Sequence, residues 1–281
     1  MSQAIKGVMA QRGVELELVV VDDGSTDGTA AALADWAKDP RVTVVTQHNR
    51  GVAAARNAGM ARGRGDFVAF LDADDVWRAD KLERQLELFR VRPGLAIAFT
   101  GYVIADDALR PREVVLSSNL RRWMLLEGNG ALLSSTAMVR VSAMGPELRF
   151  HEALSTSADL EFAWRASRCG GVATVRAPLT LYRTHASQMH RNFDIMEREM
   201  EAIYDIVFAG DDPGTVSARR RGRANLYTRV AIHDLRAGRL RAARRRIGWV
   251  LRLNPSRLIL LPLGALRRRA IRHALRFVAR P

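Results

Sequence analysis

Cysteine is nearly missing from this sequence. Cys169 stands alone among 281 residues, which excludes an intramolecular disulfide and a Cys-rich zinc site and fits a reducing compartment. Long apolar runs are missing too. The longest, Leu258 to Leu266, is interrupted by Pro262 and Gly264, and it reaches only about half of the ~20 residues that a membrane-spanning helix needs. The opening residues, MSQAIKGVMAQRGVE, hold no sustained apolar core of the kind that marks a secretory leader. No internal repeat is convincing, and the histidines other than His185 show no metal-ligand spacing. A cytoplasmic chain is expected, soluble or peripheral at the inner face of a membrane.

Acids and lysines vanish from the last part of the chain. From Arg219 onward there are 19 Arg, no Lys and one acid, Asp234, whereas residues 1–218 carry 25 bases against 29 acids. The net charge of +14 therefore belongs to a basic C-terminal extension, and the rest is mildly acidic. With 48% hydrophobic residues the chain can bury one sizeable core and still carry an appendage.

Between Glu15 and Asp75 the hydrophobic period switches repeatedly. Leu16–Val21, Val42–Thr46 and Phe67–Leu71 read as strands, rich in β-branched and apolar residues. Helices are predicted from the Ser25–Asp27 cap to about Ala37, from Val52 to Ala61, and from Ala79 to Val91. Such alternation predicts a mostly parallel sheet flanked by helices, an α/β class. Further on, strands are predicted at Leu95–Ala105, Thr136–Arg140, Val172–Arg176 and Leu179–Arg183, and a helix at Ser157–Arg168. From Asn192 the chain reads as helical, broken at Pro213, Gly238 and Pro255.

Two predicted strands end in carboxylates, Asp22 with Asp23 and Asp72 with Asp74. Strand ends of open α/β sheets are where ligands bind, and paired carboxylates suit a hard divalent cation that also binds phosphate oxygens. The bland alternative is a cluster of turn and capping acids. Arg56 could meet phosphate or base, or be a surface charge. Asp159 can cap the helix that begins near Ser157, and His185 alone would be an ordinary loop histidine.

The strings VDDGSTDGT, NRGVAAARNAG and FVAFLDADDVWRADKLERQ, in that order, resemble the nucleotide-binding half of family 2 glycosyltransferases. The resemblance implies a GT-A (Rossmann-like) fold, a UDP- or TDP-type sugar donor, Mg²⁺ or Mn²⁺, and inversion at the anomeric carbon. It implies nucleobase and ribose contacts for Asp22 and Asp23, a base contact for Arg56, and metal and diphosphate binding for Asp72 and Asp74. SADLEFAWRA resembles the family's acidic-helix motif, which puts Asp159 on the catalytic base and Ala158 where a Glu is usual. LYRTH resembles a segment whose histidine, here His185, approaches the diphosphate or metal. The implied organisation is a glycosyltransferase domain over 1–190, with a nucleotide half 1–92 and an acceptor half 93–190, then an Arg-rich helical extension over 191–281.

Two departures stand out. The family's opening apolar strand has no counterpart, so the first residues align inside the following helix, and a truncated or misplaced start is expected. The Arg clusters 219–223, 244–246 and 267–269 suit anionic phospholipid; nucleic acid has no motif in support, and a coding bias on solvated helix faces is a third reading. The function expected is sugar transfer to a carbohydrate or lipid-linked hydroxyl, in cell-surface polysaccharide or glycan synthesis by family analogy alone. The rivals are a catalytically impaired relative and a nucleotidyltransferase of similar fold.

Overall fold

The computed structural model describes residues 1–116, 134–185, 193–207 and 213–254. Trp123, Pro255, the run Leu258–Leu266, Arg267–Arg269 and the expected 190/191 boundary lie outside the described residues. The chain divides into two compact units, one drawing its described residues from 1–116 and 134–185, the other from 193–207 and 213–254.

The first unit opens with helix α1 (Ser2–Met9), which buries Ala4, Ile5 and Val8. Strand β1 (Leu18–Asp22) pairs in parallel with β2 (Val42–Thr46), with the short helix α2 (Thr29–Ala34) between them. Helix α3 (Val52–Met60) follows β2 and buries Ala53 and Ala54. Next come β3 (Phe67–Ala69), β4 (Val76–Trp77), α4 (Lys81–Val91), β5 (Leu95–Ala105) and β6 (Pro111–Val115). Strand β7 (Met138–Arg140), helices α5 (Val141–Met144) and α6 (Ala158–Cys169), and strand β8 (Gly171–Arg183) complete the unit.

The sheet is mixed, which corrects the mostly parallel expectation. β1 and β2 form a two-stranded sheet of their own, and the other six strands form a second sheet in the order β3-β7-β5-β8-β4, with β6 on β5. In that second sheet only β5 and β8 run parallel; β7 lies antiparallel to both β3 and β5, and β4 to β8. Periodicity reports which face of a strand is buried and not which way its neighbour runs, so the reversals left no trace in the hydrophobic pattern. The strands predicted separately at 172–176 and 179–183 are one strand, β8, whose register against β5 shifts near Gly101 and so accommodates Pro178.

The core has two lobes. One gathers Phe70, Ile97, Phe99, Val139, Phe150, Ala158 and Phe162 under α6. The other gathers Val8, Trp77, Leu82, Phe89 and Met138, with Leu18 of β1 and Phe67 of β3 packed against it. That apolar contact joins the small sheet to the large one, helped by Glu17, which accepts a hydrogen bond from Arg64 N.

The second unit holds helices α7 (Phe193–Val207), α8 (Pro213–Arg236) and α9 (Leu240–Leu253). Its arginines are not all outward. Arg246 is buried, donating to Asp234 at 2.6 Å and to Glu197 at 3.1 Å, and Arg223 donates to Glu201 at 2.8 Å and to Asp205 at 2.7 Å.

One buried group in the first unit conflicts with its surroundings. Lys81 is fully buried and its Nζ has no hydrogen-bond partner, lying 3.9 Å from the Trp77 ring centroid. Burial alone pushes its pKa well below the ordinary 10.5. Between that depressed pKa and 10.5 the unfolded chain therefore binds a proton that the folded chain does not, so stability rises with pH. Lys81→Met is expected to be more stable than wild type by about 1–3 kcal/mol at neutral pH, the usual cost of an unsatisfied buried polar group. Urea titrations should show this advantage shrinking as pH rises; a constant difference would refute the assignment.

Candidate active site

Aromatic rings bring three distant segments together. Phe70, beyond β3, meets Phe150 and Phe162 edge-on at 5.2 and 5.5 Å, and Phe150 stacks on Phe162 at 4.3 Å. Phe70 lies just before Asp72, and Phe162 lies on α6 about one turn after Asp159, so the rings set the spacing of these two carboxylates. Arg56 of α3 enters that space. Its Nη2 donates to Asp72 Oδ1 at 2.7 Å and its Nη1 to Asp159 Oδ1, while its guanidinium carbon sits 5.1 Å from the Phe150 centroid.

The charges balance each other. Burial works against the Arg56 cation, but Asp159 and Asp72 hold its pKa above the ordinary value. Partial withdrawal from water raises the Asp72 pKa above its ordinary value, with Arg56 pulling down and Asp159 and Asp74 pushing up. Asp159 lies in the first turn of α6, where a negative charge is favoured, yet its carboxylate reaches across to Arg56.

Asn57, next to Arg56, holds the loop that leads into α6. Its amide donates to Phe150 O at 3.0 Å and to Glu152 at 3.0 Å, and its Oδ1 accepts from Phe150 N at 2.7 Å. Arg50 donates to the other oxygen of Glu152 at 2.9 Å.

Asp22 and Asp23 shape the nucleotide-side loops. Asp22 is buried and accepts from Ser25 N at 2.9 Å. Asp23 accepts from Gln47 Nε2 at 2.7 Å, Arg50 N at 2.9 Å and Gly51 N at 2.8 Å. Burial raises the Asp23 pKa, but these donors outweigh it and hold the group below the usual range. Gly24 is required between the loops, because its φ is +80° and a Cβ there would lie 2.8 Å from Asn49 N. The two pairs of sequence-predicted acids are thus connected through α3: Asp23 fixes its start and Arg56 carries its middle to Asp72.

Asp74 faces the other side of the turn, with its Oδ2 2.8 Å from His185 Nε2. Among the described residues no group of three His, Cys, Asp or Glu side chains is arranged as a metal cage. Sequence reasoning missed Ser135, Asp75 and Arg183. Ser135 Oγ accepts from Asp72 N at 3.1 Å, Asp75 Oδ1 accepts from Arg183 N at 3.0 Å, and Arg183 Nε donates to Asp74 O at 2.8 Å. Asp75 stands in the DADD string and Arg183 in LYRTH, so both were in view; Ser135 carried no signal. Ala158, where a Glu was expected, is wholly buried in the aromatic lobe, a place for packing and not for a charge.

Residues 1–144, more than half of the 281, match the Glycosyl transferase family 2 profile. The chain belongs to this family of glycosyltransferases. The family 2 chain is 35% identical over 188 residues, 62% of its length, to the succinoglycan biosynthesis protein ExoO of Rhizobium meliloti (strain 1021), and spans 53% of that protein. It is 34% identical over 107 residues, 38% of its length, to the UDP-Glc:alpha-D-GlcNAc-diphosphoundecaprenol beta-1,3-glucosyltransferase WfgD of Escherichia coli, spanning 42% of it. It thus covers about half the length of these curated relatives. Its fold matches S. aureus TarS 1–349 in complex with UDP-GlcNAc at a TM-score of 0.68, with 16% identity over 91% of this chain and 78% of that one. The family 2 chain therefore has the GT-A architecture.

Removing the Arg56 bridge leaves two facing carboxylates uncompensated. Arg56→Met should lower stability by about 1–3 kcal/mol, less than the ~3–5 of a fully buried pair, because the Asp72 and Asp159 side chains keep 40% and 33% of their surface in water. Arg56→Lys should not recover it, since an ammonium lacks the planar fork. Urea midpoints equal to wild type would show that the bridge carries no weight.

Proposed function

We propose that the chain moves a sugar, with inversion, from a nucleotide-diphosphate sugar of the UDP type to a hydroxyl of a carbohydrate or lipid-linked acceptor during cell-surface polysaccharide assembly. The observation that carries this reading is the Arg56 guanidinium bridging Asp72 and Asp159, which couples the donor-side turn to the acceptor-side helix. WfgD, by its name, uses a UDP-sugar and a diphosphoundecaprenol-linked acceptor, ExoO serves succinoglycan biosynthesis, and TarS binds UDP-GlcNAc; the family fold supports a donor of that kind here.

In this mechanism Asp159 takes the proton of the acceptor hydroxyl as its oxygen forms a bond to the anomeric carbon. The bond from that carbon to the diphosphate oxygen breaks on the opposite face, and the nucleoside diphosphate leaves with the electron pair. Arg56 keeps Asp159 and Asp72 at a fixed separation. Asp22, Asp23 and the 47–51 loop form the nucleobase and ribose side. Asp74, with His185 beside it and Asp72 two residues before it on the side of Arg56, would be the protein's contribution to a bound Mg²⁺ or Mn²⁺, whose remaining ligands would be phosphate oxygens and water. Such an ion supplies positive charge against the leaving diphosphate.

A catalytically impaired relative is the weaker reading, because Asp159 is present and held at the cluster even though Ala158 is not an acid. The nucleotidyltransferase reading has no support in the family match. On the second unit Arg236, Arg241, Arg245 and Arg252 are exposed, which suits contact with an anionic membrane surface from the cytoplasmic side. No helix among the described residues is long and apolar enough to cross a membrane.

Asp159→Asn should bind UDP-sugar as wild type does in calorimetry with Mn²⁺, while transfer in a radiolabelled-sugar assay falls by about 10²–10⁴-fold. Transfer within a few-fold of wild type would remove Asp159 from the role of base.

A further inference from the structure

The turn that carries Asp72 and Asp74 rests on buried polar contacts that the transfer chemistry does not itself use. Asp75 is 1% exposed. One of its oxygens accepts from Arg183 N at 3.0 Å, and the Ser135 hydroxyl also hydrogen-bonds its carboxylate. The same Ser135 oxygen accepts from Asp72 N, and the Ser135 carbonyl accepts from Trp77 Nε1 at 2.7 Å and Thr180 Oγ1 at 3.1 Å. Ser135 is therefore anchored from below and grips both ends of the 72–75 turn, which is closed by Asp75 N donating to Asp72 O at 3.1 Å.

Arg183 holds the turn from its other side. Its Nε donates to Asp74 O at 2.8 Å, and its Nη2 donates to Gln3 Oε1 at 2.6 Å. Beyond it, Thr184 N and Thr184 Oγ1 each donate to Ala105 O at 2.8 Å, which fixes the backbone entering His185. Both members of the Asp74–His185 pair thus have their backbones clamped within two residues of the contact.

Asp75 does this at a cost. Its Oδ2 is buried with no partner, and an unsatisfied buried oxygen opposes folding. Stability alone does not call for a carboxylate here. What the arrangement secures is geometric: one side chain in the turn faces Arg56 and the next alternate one faces His185. We infer that Asp75, Ser135 and Arg183 are positioning residues, which act by setting the Asp74 carboxylate against His185 so that a divalent cation finds its protein donors already placed. This rests on the donor-and-cation reading above and adds to it the residues that impose the geometry.

The test is calorimetric titration of Mn²⁺ into the full chain with saturating UDP, alongside circular dichroism and thermal melts. Asp75→Ala is expected to weaken Mn²⁺ by about ten-fold or more, the usual scale for residues that orient metal ligands. Asp75→Asn, whose amide can serve both contacts, should recover most of the affinity, and Ser135→Ala should fall between. UDP affinity without Mn²⁺ should stay at the wild-type value in all three. If Asp75→Ala does not fold, the comparison of Ser135→Ala with wild type decides the matter. Wild-type Mn²⁺ affinity in folded Asp75→Ala or Ser135→Ala overturns the inference, as does equal loss in Asp75→Ala and Asp75→Asn. A wild type that takes up UDP but no Mn²⁺ overturns the cation reading and this inference with it, an outcome distinct from failure of the variants alone.

Discussion

The site depends on one cation having to satisfy two anions at once. Asp72 and Asp159 are separated by nearly half of the first unit's sequence, and the packing of Phe70 against Phe162 alone would leave two like charges facing each other, which a cation must hold together. Arg56 does so because a planar guanidinium can donate to both, and because Phe150 shields one of its faces. The constraint propagates outwards: α3 must sit where its fifth residue reaches both acids, Asn57 must then meet the backbone of Phe150, and the start of α6 follows from that loop.

Much of this was legible wherever one segment decides its own structure. Leu95–Ala105 forms a strand over the residues anticipated, and the helix anticipated from Ser157 runs from Ala158 to Cys169. The apolar residues of the helix recur at the spacing of one buried face, and the strand is a nearly continuous apolar run buried on both sides. Val76–Trp77 is too short to carry any period, and Pro111–Val115 is an edge strand that exposes most of its side chains. The site divides along the same line. The strand-end acids could be found by position, but that Asp23 is engaged by backbone N–H groups of Arg50 and Gly51 depends on loop path, and the Ser135 contacts span about sixty residues of chain. Ala158 was visible as a missing acid; only its burial explains why an acid would not fit.

Composition treated the C-terminal arginines as one population, and the fold sorts them. Arg246 and Arg223 neutralise acids of α7, so they are structural members of a helical bundle. Burying Arg246 with Asp234 and Glu197 ties helix register to charge pairing, because removing any one member strands the others. Arg241, Arg244, Arg245 and Arg252 on α9 stay outward, and three of them, Arg241, Arg245 and Arg252, are spaced by four and seven residues and so share one side of the helix. A count of charges overstates the cationic surface, while the stripe concentrates it.

The separation of β1 and β2 from the larger sheet reaches beyond topology. A two-stranded ribbon is marginal by itself, and this one is fastened to its neighbour by apolar side chains and the Glu17–Arg64 clasp, with no ladder pairing between the two sheets. Any molecule spanning the loops after β1 and the turn after β3 would act as a cross-link between two plates. Part of its binding free energy would then appear as cohesion of the protein itself, so occupancy and rigidity in this half of the first unit are one thermodynamic quantity seen from two sides.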